Sequence, residues 1–395
     1  MNLRKYIPFV LDNLIWFMLL AVILFFSLLT DKFLSAPSLL NILVHAAVLG
    51  IMVIGQSFTL VTGNFDLSME STLGLCALVG AWLVVPAGAP NYGSGWMMHP
   101  FLAVPVILLL GMAIGWINGT LITRFKMNNF VVTLAMLIAL RGAMLILTEG
   151  HTVFGTPDLF NLLGGSNIGP IPVLVIVVIV VYIIAHIVLK YTPFGRHLYA
   201  VGGNKNAALA SGVDPDRRVR HVYLISGFLA AFAGWMLAGR LTSVINNLGQ
   251  GMIFEVFAAA VIGGISLQGG RGTMLGAFGG VLLLSAINTG LNLMDVSPFW
   301  IESIRGMVIL VAMLIEAQKV RYSAPVTMAT RSCRDLVSMG IQSLPCREMG
   351  QPGCTPGLRD SLAGKQSGTW LANRRHISGE TAHESRTAPG SGRAG

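Results

Sequence analysis

An all-α integral membrane fold with about ten transmembrane helices is predicted by three features of the chain. Between Pro8 and Ala317, apolar stretches near the ~20 residues needed to cross ~30 Å of hydrocarbon alternate with short polar links. Of 395 residues, 54% are hydrophobic and only 11% charged, where an ordinary soluble domain carries roughly 25% charged residues; mean hydropathy is +0.72. The basic residues of this part also fall largely on one side of the layer when successive stretches alternate in direction. A soluble fold could not hide so much apolar surface.

In chain order, the expected spans are 10–30, 39–62, 68–87, 101–123, 129–148, 171–190, 219–243, 252–268, 273–294 and 299–317. The first follows Arg4 and Lys5 and lacks a small-residue cleavage site, so it is read as a retained helix and not a signal peptide. With those two residues in the cytoplasm, alternation places Arg124, Lys126, the 190–220 link, Arg271, Lys319 and Arg321 there too. The opposite side receives the links at Asp31, 87–100, 149–170, 245–251 and Asp295, which are poor in Lys and Arg. The net charge is +9, with 17 basic against 12 acidic residues through Arg321. That excess is what membrane-flanking loops carry, and it argues against a nucleic-acid partner. Cys76 lies in an apolar stretch and Cys333, Cys346 and Cys354 in the polar tail, at spacings matching no common zinc or redox pattern, so no metal is assigned.

Two segments echo each other. Gly115-Trp-Ile-Asn118-Gly-Thr-Leu121 in the fourth span resembles Ser285-Ala-Ile-Asn288-Thr-Gly-Leu291 in the ninth. They pair when spans two to five are aligned with seven to ten, an offset of five helices, so the halves form an inverted repeat. Gly111 and Gly115 make a small-xxx-small pair that favours close helix packing over a substrate role.

The 191–218 link is the longest basic interruption. Pro193 ends the sixth span. Asn204 is then an N-cap, Lys205 to Ser211 is Ala-rich and helix-favouring, and Gly212 suits the left-handed residue that closes a helix. Asp214 and Pro215 supply the N-cap and first residue of the seventh span, with Asp216 near its positive end. A compact helix between firm stops, with small residues at Gly202, Gly203, Ala207, Ala208 and Ala210, fits a docking surface; an ordinary polar loop is the alternative.

Here the residues resemble a family. Thr192-Pro-Phe-Gly-Arg196, Ala200-Val-Gly-Gly-Asn204, Ala207-Ala208 and Ser211-Gly-Val213 look like the coupling segment of permease subunits of ribose- and galactose-type ABC importers, the binding-protein-dependent inner-membrane components. Further matches follow in the family's order: Thr62-Gly-Asn-Phe-Asp-Leu-Ser68, Asn118-Gly-Thr-Leu121, Phe130-Val-Val-Thr-Leu134, Leu140-Arg-Gly142, and Glu255 with the glycine-rich run Ala258 to Gly272. The resemblance covers roughly residues 10 to 320. It implies a permease with about ten helices in the bacterial inner membrane, paired with a second permease subunit as homo- or heterodimer, two cytoplasmic ATP-binding subunits and a periplasmic sugar-binding protein. Phe194, Gly195, Arg196, Gly202, Gly203, Asn204, Ala207, Ala208, Ser211 and Gly212 would then form the ATPase-coupling surface. The family usually has Gly-Gly-Ile-Asp-Leu-Ser-Val-Gly after the second span. This chain departs from it, with Asn64 and Glu70 at two glycine positions.

Ionisable groups at bilayer depth are costly unless paired or wet, so they are functional candidates by default. Asn64, Asp66, Ser68, Glu70, Asn118, Arg141, Glu255 and Asn288 are the candidate pathway residues, with Glu302 a further acid. Asp66 fits either an N-cap of the third span, with Glu70 in its first turn, or a pathway lining. Arg141 fits an ion pair with one of the acids, and Glu255 a first-turn acid. No catalytic residue is assigned. The glycines from Gly263 to Gly272 lack the lysine and Ser/Thr of a phosphate loop, so ATP would bind only in a partner subunit and the chain itself carries no cofactor.

After Tyr322 the composition turns to Ser, Gly, Arg, Pro and Thr, unable to bury a core. The expected organisation is therefore a permease domain over 1–321 and a disordered or non-native tail over 322–395. The leading functional reading is the permease subunit of an ATP-driven monosaccharide importer. An ion- or proton-coupled secondary transporter would share inverted repeats but needs a fuller set of buried acids and no ATPase. An enzyme requires a nucleophile with a base, or a metal set, and neither is evident.

Overall fold

A computed structural model of the chain describes residues 13–297 together with 299–301, 303, 304, 306, 307, 310 and 314. All lie in the first of the two units into which the chain divides, Met1–Pro325. Arg4, Lys5, Glu302, most of the expected tenth span and the 322–395 tail lie outside the described residues.

The described elements are α1 (Leu14–Leu29), α2 (Ala36–Val61), α3 (Met69–Val84), α4 (Pro100–Thr123), α5 (Asn129–Thr148), β1 (Val153–Phe154), α6 (Leu162–Gly165), β2 (Asn167–Ile168), β3 (Ile171–Pro172), α7 (Val173–Tyr191), α8 (Pro193–Gly203), α9 (Lys205–Ala210), α10 (Pro215–Leu241), β4 (Ser243–Val244), α11 (Met252–Ile262) and α12 (Met274–Leu293). The protein is a mostly helical multi-pass membrane protein. Among the described residues, α2, α4, α5, α7, α10 and α12 are long and apolar enough to cross a membrane. Helices α1 and α3 have 16 residues each and α11 has 11, about 24 Å and about 17 Å at 1.5 Å per residue, short of the ~30 Å layer. The eighth expected span, 252–268, stops early because Gly263 and Gly264 end the helix, Gly264 at φ +86°.

Local sequence explains where the helices start. Asn128 accepts from the amides of Phe130 and Val131, and Thr273 from that of Gly276. Asp214 accepts from Arg217 N at 3.1 Å with Pro215 next, the expected start of the seventh span. Between the sixth and seventh spans the structure adds a helix the sequence reading lacked. Pro193 does not merely stop α7: it is the first residue of α8, with Thr192 as N-cap accepting from Gly195 N. A proline is as well suited to that position as it is unsuited to a helix interior.

Helix α2 runs through the core, buried along most of its length, and packs on α7, α10, α11 and α12; α3 and α4 pack on α10. The α4–α10 contact is made by glycines, as the Gly111 and Gly115 spacing predicts. A Cβ at Gly111 would lie 2.4 Å from Gly227 O, and one at Gly115 2.1 Å from Tyr223 O. Helices α4, α5 and α7 keep broad apolar faces exposed, among them Leu109, Trp116, Ile138, Ile146, Ile183 and Ile187, as surfaces meeting lipid or another apolar partner do.

At one end, β1 pairs antiparallel with β4, Val153 opposite Val244, and Asn246 Nδ2 donates to Gly150 O at 2.7 Å. At the other, Gly270 N donates to Val61 O at 2.8 Å and Gly202 packs on the same carbonyl, so the end of α2, the end of α8 and the 263–272 turn meet.

Candidate functional site

The candidate pathway residues gather into two buried knots. The first lies at the break between α2 and α3. Asp66 is 1% exposed. Its Oδ1 accepts from Ser68 N at 3.1 Å and Ser68 Oγ at 2.6 Å, and its Oδ2 from Ser226 Oγ of α10 at 2.8 Å. Asn118 of α4 donates to Ser68 Oγ at 2.8 Å, and Tyr223 of α10 donates to Phe65 O. Asn64 bonds back to Thr62 and accepts from Asn129 of α5 at 3.4 Å. The expectation that Asp66 caps α3 is corrected: Ser68 occupies the cap position, and the carboxylate instead closes the preceding turn and ties it to α4 and α10. A buried carboxylate needs several donors, and one amide at a helix cap would not have sufficed.

In the second knot, Glu70 and Arg141 meet, as the ion-pair reading of Arg141 anticipates: Nη2 lies 2.9 Å from Glu70 Oε1. Arg141 Nη1 donates to Leu248 O, and Glu70 Oε2 accepts from Gly251 N and Ile253 N at the start of α11. Glu255 sits in the first turn of that helix. Asn288 is half-buried on α12, its backbone carbonyl accepting from Asn292.

Ser226, Tyr223 and Asn129 were missed by the sequence reading. A serine or tyrosine in an apolar helix carries no pattern of its own; Ser226 beside Gly227 on a buried stripe is the nearest thing to a signal.

The 191–218 link forms two short helices with most of its polar groups outward. Asn204 caps α9 as expected, accepting from Asn206 N at 3.0 Å and Ala207 N at 3.1 Å, and Gly212 takes φ +80°. Arg196, Gly203, Asn204, Ala207, Leu209, Ser211 and Gly212 are exposed, while Ala208 is buried. Small residues play two parts here. Cβ atoms at Gly195 and Gly202 would lie 2.0 Å from Leu189 O and 1.8 Å from Val61 O, so these two seat the link on its own chain; Gly203 and Gly212 meet nothing within 4 Å. Phe194 packs against Phe58 with ring centroids 6.5 Å apart. Tyr199 donates to Gly272 O at 2.7 Å, and burial pushes its hydroxyl above the usual tyrosine range. The pair is a capped, outward-facing platform seated on its own chain.

Residues 38–314 match the family described as "Branched-chain amino acid transport system / permease component". The chain is 37% identical over 303 residues to the ribose import permease protein RbsC of Bacillus subtilis, covering 76% of this chain and 91% of that protein. It is 34% identical over 306 residues to the autoinducer 2 import system permease protein LsrC of Photorhabdus laumondii, covering 76% and 88%. Against the galactose/methyl galactoside import permease protein MglC of Haemophilus influenzae it is 30% identical over 319 residues, covering 78% and 94%. No solved structure matches. Matched over most of its length, and with the capped helical pair and the buried Asp66 turn in place, the chain belongs to this permease-component family and is a permease subunit of an ABC importer.

Proposed function

We propose that the chain forms half of the translocation pathway for a monosaccharide in the bacterial inner membrane, with its N-terminus in the cytoplasm. A periplasmic binding protein delivers the sugar, and two cytoplasmic ATP-binding subunits drive its passage. The observation that carries this reading is the α8–α9 platform. It is capped at both ends, anchored through Gly195 and Gly202, and presents Lys205, Asn206 and Leu209 outward; a lever that transmits force must be stiff and well anchored. The sugar class follows the names of the ribose and galactose relatives. A second permease subunit, a copy or a sister, completes the pathway against the exposed apolar faces, with lipid on the rest.

Ten spans arranged as an inverted repeat are part of the proposal, and packing supports the repeat. Helix α4 lies on α10 as α12 lies on α2; α3 lies on α10 as α11 lies on α2; α3 lies on α4 as α11 lies on α12. Exchanging the halves maps each pair onto its counterpart. The secondary-transporter alternative is weakened by the acids themselves. Asp66 and Glu70 each accept three hydrogen bonds in fixed structural positions, which is not the arrangement of a mobile proton relay.

The test is co-purification from native cells in mild detergent, comparing the natural chain with one whose 204–212 segment is a Gly/Ser linker. An ATPase should accompany the first and be lost from the second; retention in both would refute the platform's role. Residues 323–395 are proposed to be dispensable. A chain ending at Tyr322 should transport as well as the full chain at equal membrane levels, and loss of uptake would contradict that.

A further inference from the structure

We propose that Glu70 and Arg141 are positioning residues of the translocation pathway: a charged clasp, reaching from α3 and α5, that holds the tip of the 245–251 turn and the start of α11. The inference begins with what α11 lacks. Its cap position is Gly251, at φ +84° and without a side chain to accept from the first amides. The first turn of any helix leaves such amides without partners. The 263–272 turn that follows α11 meets Val61 and Gly202 at one end of the bundle, and the 11-residue helix reaches only about 17 Å from there. Ile253 at the start of α11 is 2% exposed, so its amide needs a partner within the protein.

Glu70 takes their place in the bonding. Its Oε2 accepts from Gly251 N at 3.0 Å and Ile253 N at 3.3 Å, across more than 180 residues of chain. Its other oxygen holds Arg141 Nη2 at 2.9 Å, and Arg141 Nη1 reaches Leu248 O at 3.3 Å. The carboxylate also suits the positive end of the helix, and Arg141 balances its charge in a site where the two side chains are 6% and 18% exposed. Packing agrees with the bonding. A Cβ at Gly74 would lie 2.7 Å from Leu248 O, so α3 meets the tip this closely only with glycine there; Gly249, at φ +80°, lies against Leu73 and Glu70. Residues 248–253 are thus tied to α3 and α5 by both bonding and packing.

The experiment is hydrogen–deuterium exchange on the purified full chain in detergent, read on peptides covering 248–256 and, as the folding control, 204–222. Glu70→Ala should speed exchange at 248–256 about tenfold, as expected when charge-assisted bonds are lost, with 204–222 unchanged. Arg141→Met should loosen the same peptide, and the double variant should be no looser than Glu70→Ala alone, because the pair acts as one unit. If Glu70→Ala does not fold, Glu70→Gln, which keeps the volume and loses the charge, should show the same local pattern more weakly. Unchanged 248–256 exchange in a folded variant, or loosening spread evenly over the chain, would overturn the clasp.

The pathway role rests on the permease reading and has its own readout. In the reconstituted importer, Glu70→Ala should lower maximal uptake with little change in the apparent KM for sugar-loaded binding protein, and Glu70→Asp should recover part of it. Normal maximal uptake by Glu70→Ala would overturn that role. If the natural chain fails to transport while the exchange pattern holds, the permease reading falls and the clasp stands.

Discussion

A Gly115→Val chain should fail to accumulate as a folded protein in the membrane. Among the described helices the α4–α10 contact is the most extensive, and Gly111, Gly115 and Gly119 bring the two backbones together. At position 115 a Cβ would stand 2.1 Å from Tyr223 O, 2.9 Å from Tyr223 C and 3.2 Å from Leu224 Cα. The first of these is far inside van der Waals contact, and the obstacles are backbone atoms that no rotamer change moves aside. Overpacking at a forgiving site costs about 1–3 kcal/mol; here α4 must pull away from α10, which would also break the Asn118 bond to Ser68. Gly142, by contrast, meets nothing within 4 Å, so Gly142→Ala should be close to neutral. Membrane levels and gel-filtration profiles of both variants check the pair of expectations. A normally assembled Gly115→Val protein would contradict the packing account.

Asp66→Ala is expected to be nearly as damaging, for a different reason. Removing the carboxylate leaves the Ser68 amide, the Ser68 hydroxyl and the Ser226 hydroxyl without their acceptor in a site that is 1% exposed. At about 1–3 kcal/mol for each buried group left unsatisfied, the loss reaches several kcal/mol, a large part of the roughly 5–15 kcal/mol that holds a typical protein folded. Asp66→Asn keeps one carbonyl oxygen for Ser68 and lets the rotatable Ser226 hydroxyl accept instead, so its cost should be about 1 kcal/mol. Thermal unfolding in detergent should rank the natural chain above Asp66→Asn and both well above Asp66→Ala. Equal unfolding temperatures for the first and third would remove the structural role of this knot.

Much of this architecture is legible in the amino-acid sequence because the bilayer imposes a strong and simple code. Apolar length places most of the helices, and local chemistry places their ends: Asn204, Gly212, Asp214 and Pro215 do in the structure what their residue types suggest. The failures have physical reasons as well. Pro193 is both a helix stopper and a favoured first residue, and only the Thr192 hydroxyl reaching Gly195 N decides for α8. Gly195 and Gly202 look like room for a partner until their contacts with Leu189 and Val61 are seen. The acids Asp66 and Glu70 and the cation Arg141 stand out as charges in an apolar chain, yet the partners that tie them to other helices lie 71 to 183 residues away and cannot be read from spacing. Ser226 gives only the faint hint of its place beside Gly227, and Tyr223 gives none.

The central claim is that this chain conducts only as part of an ATP-driven assembly. Its most direct test is sugar uptake into proteoliposomes holding the purified chain, with and without its ATP-binding subunits, binding protein and ATP. Uptake that needs all three and is indifferent to proton or sodium gradients is the predicted result. Gradient-driven uptake by the chain alone would contradict it.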